Sequence, residues 1–307
     1  MRARGSPARV HDRSLRRPSC RSTPVVQCGT AFLVLEHPEG CRLVDAPWEA
    51  LAGASVFDLA QPMRTGMPQS PNHAPFRMLL ERRHGDMVRS DGGSAANEVI
   101  VTGGHVGTHV DALAHVSQDG LLHGGLAAAG VQSHQGFTAL GIDTFTPYVG
   151  RAVLLDVAAA HGVATLPPGY EITPGDLDRA ARGLDIRAGE ALLVGTGWSR
   201  HWADPGLFTG QSLGVPGPGA AAGRWLAERR PRLVGAESIA FEHIAPGRGH
   251  ATLPVHRILL VEAGINIVET MRLSDLLDAG HREFLLIVNP LPLAGATGAP
   301  VRPLAVV

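Results

Sequence analysis

The chain has 307 residues, of which 44% are hydrophobic and 18% charged, the composition of a soluble globular protein. Its formal net charge of −1 gives no overall attraction to nucleic acid or to an anionic membrane, so neither partner is expected. No apolar run reaches the roughly 18 residues that a membrane span requires.

Three cysteines, Cys20, Cys28 and Cys41, lie far apart in the N-terminal region, and no CxxC motif is present. An odd number at this spacing favours neither a disulfide framework nor a cysteine-rich zinc site. A reducing compartment is therefore expected, and we predict a cytoplasmic protein.

Residues 1–51 are predicted to be an N-terminal extension, and residues 52–307 to form the folded domain. The first 23 residues carry seven arginines against a single acid, Asp12. This composition fits a flexible arm, a mis-assigned start codon or an organelle transit peptide. Farther along, "AFLVL" (31–35) could form a short strand.

Short apolar runs bounded by turn residues predict the strands of the domain. They are "SVFDLAQPM", "NEVIVTGGH" (97–105), "RAVLLDVA" (151–158), "ALLVGTG" (191–197), "PRLVGAES" and "FLLIVNPLPL".

Four segments predict helices. "TPGDLDRAARGL" offers Thr173 as N-cap and Pro174 at the first helical position. "GPGAAAGRWLAERR" ends in arginines, and "PVHRILLVEAG" and "LSDLLDAG" each stop at glycine. Because strands and helices mix at irregular spacing, without a regular βαβ repeat, we predict an α+β or mixed α/β domain.

The segment "GGHVGTHVDALAHVSQDG" (103–120) holds three histidines and a carboxylate within eleven positions. On a straight strand His105 and His109 would lie about 13 Å apart, too far to share one metal ion. A bend at Gly107 would bring them together, and His109 and Asp111 would then face the same side of an extended chain. Asp111 could also cap a helix through "DALAHV", which would place His115 one turn farther on.

Two histidines and a carboxylate beside a free imidazole are typical of a Zn, Mn or Fe(II) site with open coordination positions. The sequence therefore predicts a divalent-metal centre. His115, which need not bind the ion, would serve as proton shuttle.

The motif "HVGTHVDALAH" resembles the HxGTHxDxxxH signature of the metal-dependent cyclase family, which includes bacterial kynurenine formamidases and isatin hydrolases. Further segments are similar to the family over residues 52–307. They are "VFDLAQPMRTGMP", "GEALLVGTGWSRHW", "LPVHRILLVEAGINIVET" and "NPLPLAGATGAPVRPLAVV".

The resemblance implies a swivelling β/β/α fold, a homodimer or homotetramer, and hydrolysis of a small cyclic or aryl amide at one or two divalent ions. It identifies His105, His109 and Asp111 as metal ligands and His115 as the catalytic histidine. His256 and Glu269 would complete a second metal site or orient the first.

Substrate contacts are expected from Phe57, Trp198, Ser238 and Glu242. Two positions depart from the family pattern: Leu113 stands where kynurenine formamidases usually have proline, and Glu237 stands where aspartate is common. The first departure leaves the substrate open, and the second leaves the role of the Glu237 loop open.

Other functions fit parts of the pattern. A cyclase or dehydratase of secondary metabolism would use the same metal site. His109, Asp111 and a distant His256 also mimic the facial triad of non-haem Fe(II) oxygenases, although the extra His105 argues against it. A non-catalytic protein could use the fold as a scaffold.

Overall fold

The computed structural model describes residues 51–307, within which Ala54–Val307 form one compact unit. The three cysteines and the strand predicted at 31–35 lie outside the described residues. None of the described helices is both long and apolar enough to cross a membrane.

The fold is built on a nine-stranded mixed sheet, whose strands lie side by side in the order β1-β15-β13-β7-β9-β11-β12-β4-β14. Its strands are β1 (Val56–Asp58), β4 (His109–Asp111), β7 (Tyr148–Asp156), β9 (Ala191–Gly195), β11 (Leu233–Ala236), β12 (Asn266–Glu269), β13 (Glu283–Val288), β14 (Gly298–Pro300) and β15 (Leu304–Val306).

The four central strands β7, β9, β11 and β12 are parallel, and the strands on either side of them run antiparallel. The carboxyl ends of the central strands therefore meet at one edge of the sheet, where β12 ends at Glu269. Because β4 pairs antiparallel with β12, His109 lies directly opposite Glu269. This pairing brings the two distant motifs of the sequence together.

Three two-stranded pairs complete the strands: β2 (Arg77–Arg82) with β3 (Asn97–Val101), β5 (Gln132–Ser133) with β6 (Gly136–Phe137), and β8 (Glu171–Ile172) with β10 (Gly217–Pro218). Buried side chains pack on both faces of the large sheet. Leu155, Leu192 and Ile267 belong to the core on one face, and Leu154, Leu193 and Val268 to the core on the other.

The helices are short. They are α1 (Val157–Ala160), α2 (Pro174–Ala180), α3 (Pro205–Phe208), α4 (Ala220–Glu228), α5 (Pro254–His256), which continues as a π-helical segment (Arg257–Ala263), and α6 (Ser274–Ala279). Thr173 caps α2 in a capping box with Asp176, as the sequence predicts. Gly264 and Gly280 end the α5 segment and α6 in left-handed conformation, which glycine adopts without a steric penalty.

The predicted mixed fold class is confirmed, but the helix predicted through "DALAHV" is wrong. Asp111 ends β4, and the chain then turns, with His115 N–H donating to the carbonyl of Ala112 at 2.9 Å. The carboxylate of Asp111 cannot cap a helix because it is hydrogen-bonded to His105.

Candidate metal centre

Gly107 supplies the bend that the histidine spacing requires. Its φ of +69° lies in the left-handed region, and an added Cβ would lie 3.3 Å from Met63 Cγ. His109 and Asp111 follow on β4 and, being two residues apart, point to the same face of the sheet. The predicted geometry of this part of the motif is confirmed.

Asp111 lies at the centre of the cluster and is completely buried. Its Oδ1 atom lies 2.6 Å from Nδ1 of His105 and 3.3 Å from Nε2 of His109. Nε2 of His109 also lies 3.5 Å from Oε2 of Glu269. The other ring nitrogen of His105 contacts Oγ1 of Thr297 at 2.9 Å.

His256 reaches the same cluster from α5. Its Nε2 atom lies 3.0 Å from Oε1 of Glu269 and 3.5 Å from Oδ2 of Asp111. Its Nδ1 atom lies 2.6 Å from Oε1 of Glu242, a carboxylate that also accepts the backbone N–H groups of Val255 and His256. Glu242 therefore fixes the ring of His256 and the start of α5, and its contact with a substrate stays a prediction.

His115 lies beside the cluster without a hydrogen bond to it. Its ring stacks on His105 with the centroids 3.8 Å apart and an angle of 23° between the planes. Burial lowers the pKa of His115 to about 3, an effect that nearby His105 and His256 strengthen against the attraction of Asp111. The imidazole is therefore neutral, and one of its ring nitrogens carries a free lone pair.

The charges of the cluster are strongly coupled. Burial raises the pKa of Glu269, and the carboxylate of Asp111 raises it further. Burial opposes ionisation of Asp111, but the surrounding imidazoles, His115 first and then His105, outweigh it and hold its pKa well below the usual range. Burial likewise opposes protonation of His256, yet the close carboxylates of Asp111, Glu242 and Glu269 outweigh it and raise its pKa.

Several buried atoms of this cluster have no hydrogen-bond partner, namely His109 Nε2, Asp111 Oδ2 and Glu269 Oε1. Since buried polar atoms are nearly always satisfied, unpartnered atoms that converge on one point indicate a missing ligand. Two overlapping triads, His105/Asp111/His115 and His109/Asp111/Glu269, have ligand atoms within 4.8 Å of one another. Imidazole and carboxylate donors in this arrangement fit a divalent ion.

The other predicted substrate contacts fall in different surroundings. Trp198 is fully buried in the core and donates its indole N–H to the carbonyl of Phe208, so it contributes to packing.

Phe57 lies on β1, where its ring contacts His281 edge-on, and the structure does not bring it to the histidine cluster. The carbonyl of Ser238 accepts the N–H of Thr270, next to Glu269, while its buried hydroxyl has no partner.

Glu237 is a structural residue. Its carboxylate accepts backbone N–H groups from Thr196, Gly197 and Ser199 and the hydroxyl groups of Thr196 and Ser199. It thereby ties the loop after β9 to the loop after β11. The sequence pattern alone left this role open.

Two further histidines, His73 and His250, border the cluster. His73 stacks on His105 with a centroid distance of 5.2 Å and lies 6.3 Å from the ring of His115. Burial lowers its pKa to about 4, with His105 and His109 adding to the effect. His250 approaches Ser70 and Asn72 at 3.4 and 3.5 Å. A lone histidine in "SPNHAPF" gives no spacing signal that could have identified His73.

A cavity of about 480 Å³ lies where the segments after His115 and before His256 meet the loop that carries His250. It is lined by Val116, Ser117, Gln118, His250, Thr252, Leu253, Pro254 and Arg257. Its size suits a small organic molecule.

Comparisons with known proteins show which family the chain is similar to. The model of the Cyclase family matches residues 57–243. A kynurenine formamidase from Sphingopyxis alaskensis is 26% identical over 248 residues, which cover 80% of this chain and 95% of that protein. A solved structure described as a novel cyclase is 30% identical with a TM-score of 0.74, covering 84% of this chain and 91% of its own. Isatin hydrolase A from Ralstonia solanacearum has the same fold at 23% identity, with a TM-score of 0.64 and coverage of 85% and 95%.

Proposed function

Because the chain belongs to the Cyclase family, we propose that it is a metal-dependent hydrolase that opens a cyclic or aryl amide. The single observation that carries the proposal is the set of unpartnered buried donor atoms on His109, Asp111 and Glu269 beside the neutral imidazole of His115. Such an arrangement supplies both an ion site and a proton acceptor.

Zn²⁺ or Mn²⁺ is the ion that this donor set favours, since both accept imidazole and carboxylate ligands. The residues that would hold it are His105, His109, Asp111, His256 and Glu269, as one ion or two. When bound, it would lower the pKa of a water molecule and polarise the amide carbonyl.

We assign His115 the role of general base, because its neutral imidazole lies beside the proposed ion site. It accepts a proton from the attacking water while the new C–O bond forms, and it returns the proton to the leaving nitrogen as the C–N bond breaks. Glu242 holds the ring of His256 in one orientation through Nδ1, which leaves Nε2 directed at Glu269 and Asp111.

Isatin-like lactams and N-formylkynurenine-like aryl formamides are the substrates to try first. The sequence relative is a kynurenine formamidase, and the fold is shared with an isatin hydrolase. The substrate is a small molecule, in keeping with the cavity beside His115 and His256. The parallel centre of the sheet does not fit the jelly roll that the oxygenase hypothesis requires.

The proposal is tested with full-length protein that has been stripped by a chelator and reloaded with Zn²⁺ or Mn²⁺. Hydrolysis of isatin, N-formylkynurenine and related amides is followed by absorbance. We expect turnover only after reloading. We expect His115→Ala to keep its bound metal while turnover falls by about 10²–10⁴-fold.

The matched control is His134→Ala, which removes an exposed histidine outside the cluster. This variant should keep full activity. Undiminished turnover in His115→Ala would disprove the assigned role. Loss of metal from that variant would instead make His115 a ligand, as the first triad allows.

A further inference from the structure

The cavity of about 480 Å³ beside the metal cluster is lined by one ionised side chain of the described residues, the guanidinium of Arg257. The rest of its wall includes the hydroxyl groups of Ser117 and Thr252 and the apolar side chains of Val116, Leu253 and Pro254. Burial lowers the pKa of His250, so the imidazole of that residue is neutral near pH 7. The wall therefore carries one positive charge.

The position of Arg257 in the α5 segment directs its side chain into the cavity. Pro254 and Arg257 are three residues apart, so they lie on the same face of the helical turn. His256 directly precedes Arg257, and successive side chains on a helix do not share a face. The imidazole of His256 therefore faces Asp111 and Glu269, while the guanidinium of Arg257 lines the cavity.

The guanidinium of Arg257 retains donors for a ligand. Its Nε atom lies 3.4 Å from Oε1 of Glu262, and within residues 51–307 its side chain makes no hydrogen bond. Glu262 also accepts a hydrogen bond of 3.1 Å from Nη1 of Arg224. One carboxylate thus faces two guanidinium groups, and the three side chains together carry one positive charge. The two Nη groups of Arg257 are therefore free to donate.

A carboxylate is the ligand group that this arrangement recognises. The planar fork of a guanidinium binds both oxygens of a carboxylate at once, and such charged hydrogen bonds are stronger than neutral ones. The hydroxyl groups of Ser117 and Thr252 supply further donors. The apolar side chains of Val116 and Leu253 suit an aromatic ring, because small-molecule sites combine apolar walls with a few polar groups.

We propose that Arg257 selects aryl amides that carry a carboxylate, an inference that rests on the proposed hydrolase function. The carboxylate pairs with the guanidinium, the ring packs on Val116 and Leu253, and the amide reaches the cluster at His115, which adjoins Val116 in the chain. Arg257 binds the substrate and takes no part in proton transfer. A neutral amide of similar size lacks this ion pair, so it binds more weakly.

Two matched probes test the proposal without requiring turnover. They are 4-formamidobenzoate and formanilide, which differ by one carboxylate. Their dissociation constants are measured by ligand-observed NMR on full-length protein from which the metal has been removed, so that the carboxylate cannot bind a metal ion instead of Arg257. We expect the wild type to bind 4-formamidobenzoate at least 10-fold more tightly, which is typical of a hydrogen bond to a charged group. Equal affinity for the two probes would overturn the proposal.

Arg257→Gln should weaken the binding of 4-formamidobenzoate at least 10-fold and leave that of formanilide unchanged. Arg257→Lys keeps the charge but loses the planar fork, so it should restore part of the affinity. Arg224→Gln is the matched control, because Arg224 pairs with the same Glu262 but does not line the cavity. An equal loss in Arg224→Gln and Arg257→Gln would reduce the effect to general charge and contradict the assignment. The wild-type comparison stands even if Arg257→Gln does not fold.

Turnover of the same probes by Zn²⁺-loaded protein separates this proposal from the proposed function. The ratio of kcat/KM for 4-formamidobenzoate to that for formanilide should fall at least 10-fold in Arg257→Gln, while kcat for formanilide stays unchanged. Selective binding of 4-formamidobenzoate without hydrolysis would uphold the role of Arg257 and count against the hydrolase. Equal hydrolysis of both probes by the wild type would uphold the hydrolase and overturn the role of Arg257.

Discussion

Glu237 and the Asp111–Glu269 pair are buried carboxylates beside neighbouring strands of one sheet, yet their surroundings differ. Glu237 accepts five hydrogen bonds from Thr196, Gly197 and Ser199, so its lone pairs are satisfied by the protein. Asp111 and Glu269 each keep one buried oxygen without a partner.

The difference separates a structural carboxylate from a ligand carboxylate. A protein seldom leaves a buried charge unsatisfied, because an unpartnered charge costs several kcal/mol. Where protein donors fill every lone pair, the residue stabilises the fold. Where lone pairs from several residues converge without donors, an external cation is the expected partner.

Asp111→Asn should have the largest effect, because the neutral amide removes the charge at the centre of the cluster. Affinity for Zn²⁺ or Mn²⁺ should fall by more than the roughly 100-fold typical of changes to outer hydrogen-bond partners. Elemental analysis of protein purified without added metal measures this directly. Full metal content in Asp111→Asn would remove the distinction between the two kinds of carboxylate.

Glu237→Gln should leave the metal content unchanged and lower the free energy of unfolding by about 3 kcal/mol, since buried donors lose their acceptor. Urea unfolding of the metal-free protein isolates this effect from metal binding. If Glu237→Gln kept the stability of the wild type but lost its metal, Glu237 would be a metal ligand and not a structural carboxylate.

Glu242→Gln is expected to weaken metal binding, but less than Asp111→Asn does. The amide no longer attracts the Nδ1 proton of His256 with a full charge, so the ring is held less firmly and metal affinity should drop by about 10–100-fold. Chelator competition gives the affinity, and circular dichroism checks that α5 is retained. An unchanged affinity would show that Glu242 supports only the helix.

Asp176→Asn should have the smallest effect, about 1 kcal/mol, because it weakens one helix cap. Burial opposes ionisation of Asp176, but hydrogen bonds from Thr173 and His161 outweigh it and hold its pKa below the ordinary 3.8. The carboxylate therefore stabilises the fold above pH 3.8, and this contribution is lost as the pH falls through its lower folded-state pKa. The difference in unfolding free energy between wild type and variant should shrink below pH 3.8, and a difference that grows there would contradict the assignment.

The amino-acid sequence was sufficient to predict those features that depend only on residues close together in the chain. The spacing of His105, His109 and Asp111 around Gly107 predicts a shared ligand site, because backbone geometry over seven residues leaves few alternatives. The capping residue Thr173 and the stop at Gly264 predict helix ends for the same reason. "DALAHV" was misjudged because a tertiary hydrogen bond to His105 engages the carboxylate that would have capped a helix.

The contacts that complete the site depend on tertiary structure. Glu269 faces His109 only because β12 pairs with β4, two strands separated by more than 150 residues. The roles of His73, Glu237 and Glu242 likewise arise from partners distant in sequence. The exposure of β2 and β3 has the same origin, because only the packing of distant segments decides that the described part of the chain leaves this strand pair uncovered. Short-range steric and hydrogen-bonding constraints depend on neighbouring residues, whereas burial and strand pairing depend on which distant segments meet.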